Sequence, residues 1–308
     1  PIEKLPWSAA KVNVSLRDGT SPLHLLARDA ELYGLCLLLG CKARVDPLDD
    51  LGVTPLIYAV ESGDRDCMLA LLAFDADPNV CPHDHKPAVW HAVEAENVDT
   101  LRILLALKAS AEVVHPAETM SLLHVAATKG YTPELTRLLL AHGATTEHKL
   151  SGRFDYGATP LYLAAKHGHT AIVEHLIAAK AELEISDAQK RTPLFMAASR
   201  GFRESVVALC VGGARINTQN RWKTTALHAA VKEKHANVIG KMVDMGALVD
   251  TRNDYSPFHG ATNSERQTPL ENVISARRTD LLELLLKSDD VFAAVNAADH
   301  LGNAPLHR

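Results

Sequence analysis

The stretch ATPLYLAAKHGHTAIVEHLIAA, residues 158–179, decides how the rest of the chain is read. Thr159 is a residue type that caps helices, and Pro160 is tolerated in a first helical turn because its missing N–H would have no partner there. Leu161, Ala164 and Ala165 then give a short apolar helical face, Gly168 breaks it, and AIVEHLIAA begins a second apolar helix. Nearly the same phrase returns at 191–212 as RTPLFMAASRGFRESVVALCVG and stands earlier at 53–74 as VTPLIYAVESGDRDCMLALLAF.

With the Thr of TPL as a ruler, the equivalents are Ser21, Thr54, Pro87, Ser121, Thr159, Thr192, Thr225, Thr268 and Ala304, spaced 33 to 43 residues apart. A period of that length marks stacked repeats. Each copy opens with a TPLxxAA-like helix, breaks at a residue such as Gly63, Gly130, Gly168 or Gly201, runs through a second apolar helix and ends near a Gly. Gly reaches the left-handed backbone of such a cap at no steric cost. A polar segment, for example RINTQNRWK, leads to the next copy. Two short helices cannot hold themselves in water, so the copies must cover one another's apolar faces. Burying each Leu or Ile contributes roughly 1.5–3 kcal/mol, and Leu138, Leu139, Leu161 and Ile172 are expected among the covered side chains.

These phrases resemble the ankyrin repeat family. Thr159-Pro160-Leu161, Ala164-Ala165, Gly168-His169, Leu176-Ile177 and Ala181 carry the resemblance, and His24 and His124 preserve the family's His. The resemblance implies an all-α solenoid, each unit a helix–turn–helix with an outward β-hairpin loop, stacked in a curve. It covers nearly the whole chain: a single array over 1–308 of about eight repeats starting near 17, 50, 83, 117, 155, 188, 221 and 264, with partial repeats at 1–16 and 300–308. The third copy, KPAVWHAVEAEN, shifts its Pro and places Trp90 in a helix. The eighth replaces the His with Glu271 and lacks the middle Gly. An opening without Met, and an LGNAPLHR end that stops as a helix would start, give the expectation of an excerpt from a longer polypeptide. His24, His124 and His228 are expected to bond backbone groups of adjoining loops, as in the family, whereas His167 falls on the solvent side.

Composition bounds the function. The 308 residues are 47% hydrophobic but only 5% aromatic, which suits many small helix contacts. A formal net charge of −5 gives no support to nucleic-acid or membrane-surface binding, and no apolar run approaches the roughly 20 residues needed to span a bilayer. Five cysteines, Cys36, Cys41, Cys67, Cys81 and Cys210, form no CxxC pair; the odd count points to a reducing, intracellular location, cytoplasmic or nuclear. Cys81, His83 and His85 in CPHDH make the most metal-like cluster, but lack a second ligand pair, so a solvated loop is expected and no metal. The NVS acceptor at 13–15 is set aside for an intracellular chain. Asn79 and Asn217 sit where asparaginyl hydroxylases act on some similar proteins. No nucleotide, hydrolase or zinc-protease motif is present, so no enzyme and no cofactor are expected.

The family resemblance places partners in a groove lined by loop tips and first helices. Counting from the ruler, the early copies offer Arg17, Asp18, Arg28, Asp29, Asp50, Glu61, Asp84 and Glu94, acidic on balance. The middle copies offer Lys129, Tyr156, Lys166, His167, Arg191, Arg200, Arg221, Trp222 and Lys232. Residues 1–118 hold 10 Lys and Arg against 18 Asp and Glu, and residues 119–250 hold 16 against 11. Affinity hot spots favour Trp, Tyr and Arg, which singles out Tyr156, Arg191, Arg200, Arg221 and Trp222 as contacts. Longer connections at 147–157 and 250–267 add Phe154, Tyr255 and Phe258 as loop contacts, either packed back or presented. The expected role is a non-catalytic scaffold or interaction module for a partner protein or peptide, with no membrane insertion. Two other readings are a regulatory sensor arm of a larger enzyme, channel or immune receptor, and a binder of phosphate-bearing small molecules or lipid headgroups in the basic middle groove.

Overall fold

A computed structural model describes residues 12–80, 86–115, 119–151, 155–249, 269, 273–274 and 279–287. Phe154, Tyr255, Phe258, Glu271, Asp84 and the Cys81, His83 and His85 cluster lie outside the described residues.

Helices come in pairs at the ruler's spacing. The first helices are Pro22–Arg28, Pro55–Ser62, Ala88–Glu94, Leu122–Lys129, Pro160–His167, Pro193–Arg200 and Ala226–Lys232. Their partners are Leu32–Gly40, Arg65–Ala73, Val98–Ala106, Pro133–Ala141, Thr170–Ala178, Arg203–Val211 and Ala236–Asp244, and Thr279–Leu285 follows. The first helices start as the sequence dictates. The hydroxyls of Thr54, Thr159, Thr192 and Thr225 accept the N–H three residues on, filling one of the donors that a helix start leaves orphaned. Pro87 has no such oxygen and caps its helix by backbone alone.

Where the sequence carries His three residues after the ruler, the cap is doubled. The Ser21 N–H donates to His24 Nδ1 at 3.0 Å, with the Ser21 hydroxyl 2.9 Å from the same nitrogen. The other ring nitrogen donates to the Val53 carbonyl of the next repeat at 2.9 Å. One buried imidazole thus closes a helix start and ties two repeats together. Ser121 with His124, and Thr225 with His228, repeat the capping half of the arrangement.

Nine residues after the first seven ruler residues the backbone turns left-handed. Ala30, Gly63, Glu96, Gly130, Gly168, Gly201 and Lys234 all show φ between 53° and 80°. Four are Gly and three are not, so conformation alone does not require the Gly. At Gly168 a second reason appears: an added Cβ would fall inside the Phe202 ring of the following repeat. His235 covers Gly201 in the same way, 2.6 Å from a hypothetical Cβ, and donates from Nε2 to the Ser199 carbonyl at 3.1 Å.

The connecting loops pair across their bases: Leu16 with Thr20, Asp49 with Val53, Asp187 with Arg191, and Asn220 with Thr224. One loop extends this into a two-residue antiparallel ladder, Val114–His115 against Met120–Ser121. Three are tightened by a side chain instead. Asp49, Asp187 and Asn220 each accept two backbone N–H groups from within their own loop. These side chains do what further rungs of a hairpin would do, which is why so little strand forms.

The described residues fall into two compact units, one drawn from Pro1–Ala126 and Glu134–Thr145, the other from Ala127–Pro133 and Thr146–Arg308. In the first, the helix at Pro55–Ser62 packs between those at Pro22–Arg28 and Ala88–Glu94, and Leu32–Gly40 packs on Arg65–Ala73. In the second, Pro193–Arg200 packs between Pro160–His167 and Ala226–Lys232, while Arg203–Val211 joins Thr170–Ala178 to Ala236–Asp244. Leu138, Leu139, Leu161 and Ile172 are buried, and so is Trp90, which the shifted third copy turns inward.

Each unit carries a ladder of side-chain acceptors from one repeat to the next. In the first, Asn13, Asp46, Asn79 and Glu112 accept the backbone N–H groups of Arg44, Asp77, Ser110 and Thr145. In the second, Glu147, Glu184 and Asn217 accept those of Glu182, Arg215 and Leu248. Asn79 also donates its amide to the Lys108 carbonyl at 3.0 Å. The ladder fixes the spacing of successive loops, and so the positions of side chains that project from them.

Candidate peptide-binding groove

Within the second unit, the first helices Pro193–Arg200 and Ala226–Lys232 and the loop before the latter enclose a groove of about 630 Å³. It is lined by Arg191, Phe195, Met196, Ser199, Arg200, Asn220, Trp222, Thr224, Ala229, Lys232, Glu233 and His235. Four sequence-expected contact residues, Arg191, Arg200, Trp222 and Lys232, meet here.

They differ in how they are held. Arg191 is committed to its own loop: its Nε donates to Asp187 Oδ2 at 2.6 Å. Asp187 is buried and also accepts the Tyr162 hydroxyl at 2.8 Å. Burial, and then the bond to this carboxylate, push the Tyr162 hydroxyl pKa up. Arg191 therefore anchors the wall of the groove, with its charge offset. Arg200 is exposed in the last turn of its helix, and among the described residues no carboxylate pairs with it. Trp222 is half-buried in a loop pinned by Asn220, whose Oδ1 accepts the Trp222 and Thr224 N–H groups at 2.9 and 3.0 Å. Lys232 is exposed, and desolvation by the groove around its stem lowers its pKa.

The other four expected contacts do not line this groove. Lys166 donates to both oxygens of Asp155, at 2.7 and 2.6 Å, and is half-buried. His167 is exposed and stacks on His169 with ring centroids 6.1 Å apart. Its pKa is lowered, first by desolvation and then by the Lys166 and His169 charges. Tyr156 is 60% exposed in the preceding loop, and its carbonyl accepts the Ala188 N–H. Arg221 is exposed, with its own N–H on the Gln189 carbonyl.

The floor was missed from sequence. Phe195 occupies the position that carries His24, His124 and His228 in other repeats. Where those imidazoles turn inward to cap, Phe195 has nothing to bond and stays half-exposed in the groove beside Met196. The sequence signal was not selective: Trp90 and Tyr162 stand at the same position of their own repeats and are buried, so only the structure separates Phe195 from them.

The arrangement offers a fixed aromatic and aliphatic surface flanked by a guanidinium that no carboxylate pairs among the described residues. No group of three or more His, Cys, Asp or Glu among the described residues could hold a metal ion, and no described helix is long and apolar enough to cross a membrane. Cys36, Cys41, Cys67 and Cys210 are free thiols.

The family model that matches is Ankyrin repeats (3 copies), over residues 2–81, 89–187 and 172–253. The chain is 32% identical over 109 residues to Ankyrin repeat protein nuc-2 of Neurospora crassa, covering 35% of this chain and 10% of that protein. It is 30% identical over 153 residues to Inversin of Canis lupus familiaris, covering 50% and 14%. It is 32% identical over 148 residues to the Nuclear factor NF-kappa-B p105 subunit of Gallus gallus, covering 46% and 15%. The match thus spans only a small fraction of each relative's length.

Proposed function

Because the chain belongs to the ankyrin-repeat family, we propose that it is a non-catalytic recognition module that docks a partner protein or peptide on the second unit, through the groove between the sixth and seventh helix pairs. This reading keeps the expectation of about eight repeats, and of Tyr156, Lys166, His167 and Arg221 as peripheral contacts. The observation that carries it is that one groove is lined both by Arg200, which no carboxylate pairs among the described residues, and by Trp222, held half-buried by its own loop. A rigid surface loses little conformational freedom on docking, and the acceptor ladder through Glu184 and Asn217 supplies that rigidity. Free thiols support an intracellular setting.

The test uses immobilised chain and cell extract. The double variant Arg200→Ala, Trp222→Ala should lose the partner that the unaltered chain retains, with little change in melting temperature. Equal retention by the double variant would discard the groove. The segment matched here covers a small share of each much longer relative, and a recognition arm that regulates other parts of a polypeptide fits that proportion.

A further inference from the structure

We infer, on the basis of the docking role just proposed, that the occupant of this groove is an extended peptide segment carrying an apolar side chain next to Asp or Glu carboxylates. Three features fix that chemistry. The lining includes the apolar side chains Phe195, Met196, Ala229 and Trp222, and the space of about 630 Å³ takes a few residues rather than a folded domain. Arg200, Arg191 and Lys232 line the groove against the single lining carboxylate, Glu233. Arg191 already spends its charge on Asp187, so Arg200 is the guanidinium with donors to offer, and a carboxylate accepts two of them in parallel.

The backbone separates a carboxylate from a phosphate. Phosphate sites are built where several main-chain N–H groups converge, as at helix N-termini. This groove meets the C-terminal ends of its two first helices: Ser199 and Arg200 close one, Lys232 and Glu233 the other. Those ends present carbonyl oxygens and partial negative charge, which disfavours any anion and a dianion about twice as much as a single charge. A singly charged carboxylate beside an apolar anchor uses both the guanidinium and the aromatic floor.

The experiment selects binders from a library of random short peptides on the full chain, then measures selected peptides by fluorescence anisotropy. Enriched sequences should combine an apolar residue with Asp or Glu. Their binding should weaken about tenfold or more in Arg200→Glu and in Trp222→Ala, the loss expected of central contact residues. Lys180→Glu, which makes the same charge change at an exposed site outside the groove, should leave it unchanged, and circular dichroism melts should show all three variants folded. The inference is overturned if no peptide is enriched, if enriched peptides lack acidic residues, if Arg200→Glu binds them as well as the unaltered chain, or if inorganic phosphate displaces them. Tight peptides of another composition would leave the recognition role standing while removing this assignment. Failure of the unaltered chain to retain any partner from extract would remove the role itself.

Discussion

Substituting Gly168 by Ala separates two reasons for a glycine that usually travel together. Gly168 has φ 77°, and its missing Cβ makes room for the Phe202 ring. Gly63 has nearly the same backbone, φ 73°, but nothing lies within 4 Å of a Cβ built there. A left-handed Ala costs about 1–2 kcal/mol, partly offset by about 0.4–1 kcal/mol from the stiffer unfolded chain. Gly63→Ala should therefore destabilise by about 0–1.6 kcal/mol. Gly168→Ala adds displacement of a packed ring, about 1–3 kcal/mol more. Urea unfolding followed by circular dichroism measures both, and a double-mutant cycle isolates the second contribution. In a Phe202→Ala background the ring is gone, so Gly168→Ala should cost no more than Gly63→Ala does. If Gly168→Ala proves no worse than Gly63→Ala, or if its cost is additive with Phe202→Ala, the ring is not what demands the glycine.

Further outcomes follow from the same contacts. His24 is buried and its pKa is lowered chiefly by burial. Its unfolded value is about 6.5, so below that pH the unfolded chain binds the extra proton first. Its contribution is fully present above about 6.5 and shrinks as pH falls; His24→Gln should lower stability at neutral pH and flatten the slope of unfolding free energy below about pH 6.5. Asp187→Ala leaves Arg191, the Tyr162 hydroxyl and two loop N–H groups without their acceptor. It should cost about 3 kcal/mol in denaturant unfolding. Asp187→Asn should cost less, because Asn220 already shows that an amide oxygen can hold the same loop. Pulse labelling with iodoacetamide, read by mass spectrometry, should mark exposed Cys36 first. Cys67 and Cys210, with thiol pKa values pushed by burial to about 12 and about 11, should react only on unfolding.

Much of the fold is legible in the sequence. The ruler residues found the helix starts because a hydroxyl or a Pro there answers a local need, the orphaned donors of a first turn, and local needs are written in adjacent residues. Asn13, Asn79 and Asn217 were recognisable as one loop position, yet the ladder also runs through Asp46, Glu112, Glu147 and Glu184. Any side chain with an oxygen at the right height can accept that N–H, so identity varies while geometry persists. For the same reason the left-handed turn was visible where it is Gly and hidden at Ala30, Glu96 and Lys234.

The candidate site divides along the same line. Its charge and its aromatic content were open to counting, because the period assigns each residue a place in its repeat. Which cations remain available was decided by tertiary structure. Lys166 folds back on Asp155 and Arg191 on Asp187, while Arg200 finds no acid among the described residues. A repeat pattern orders residues along one copy, but an ion pair depends on where a neighbouring loop's carboxylate comes to rest. The groove, its Phe195 floor and the charge left over at its rim exist only once the copies stack.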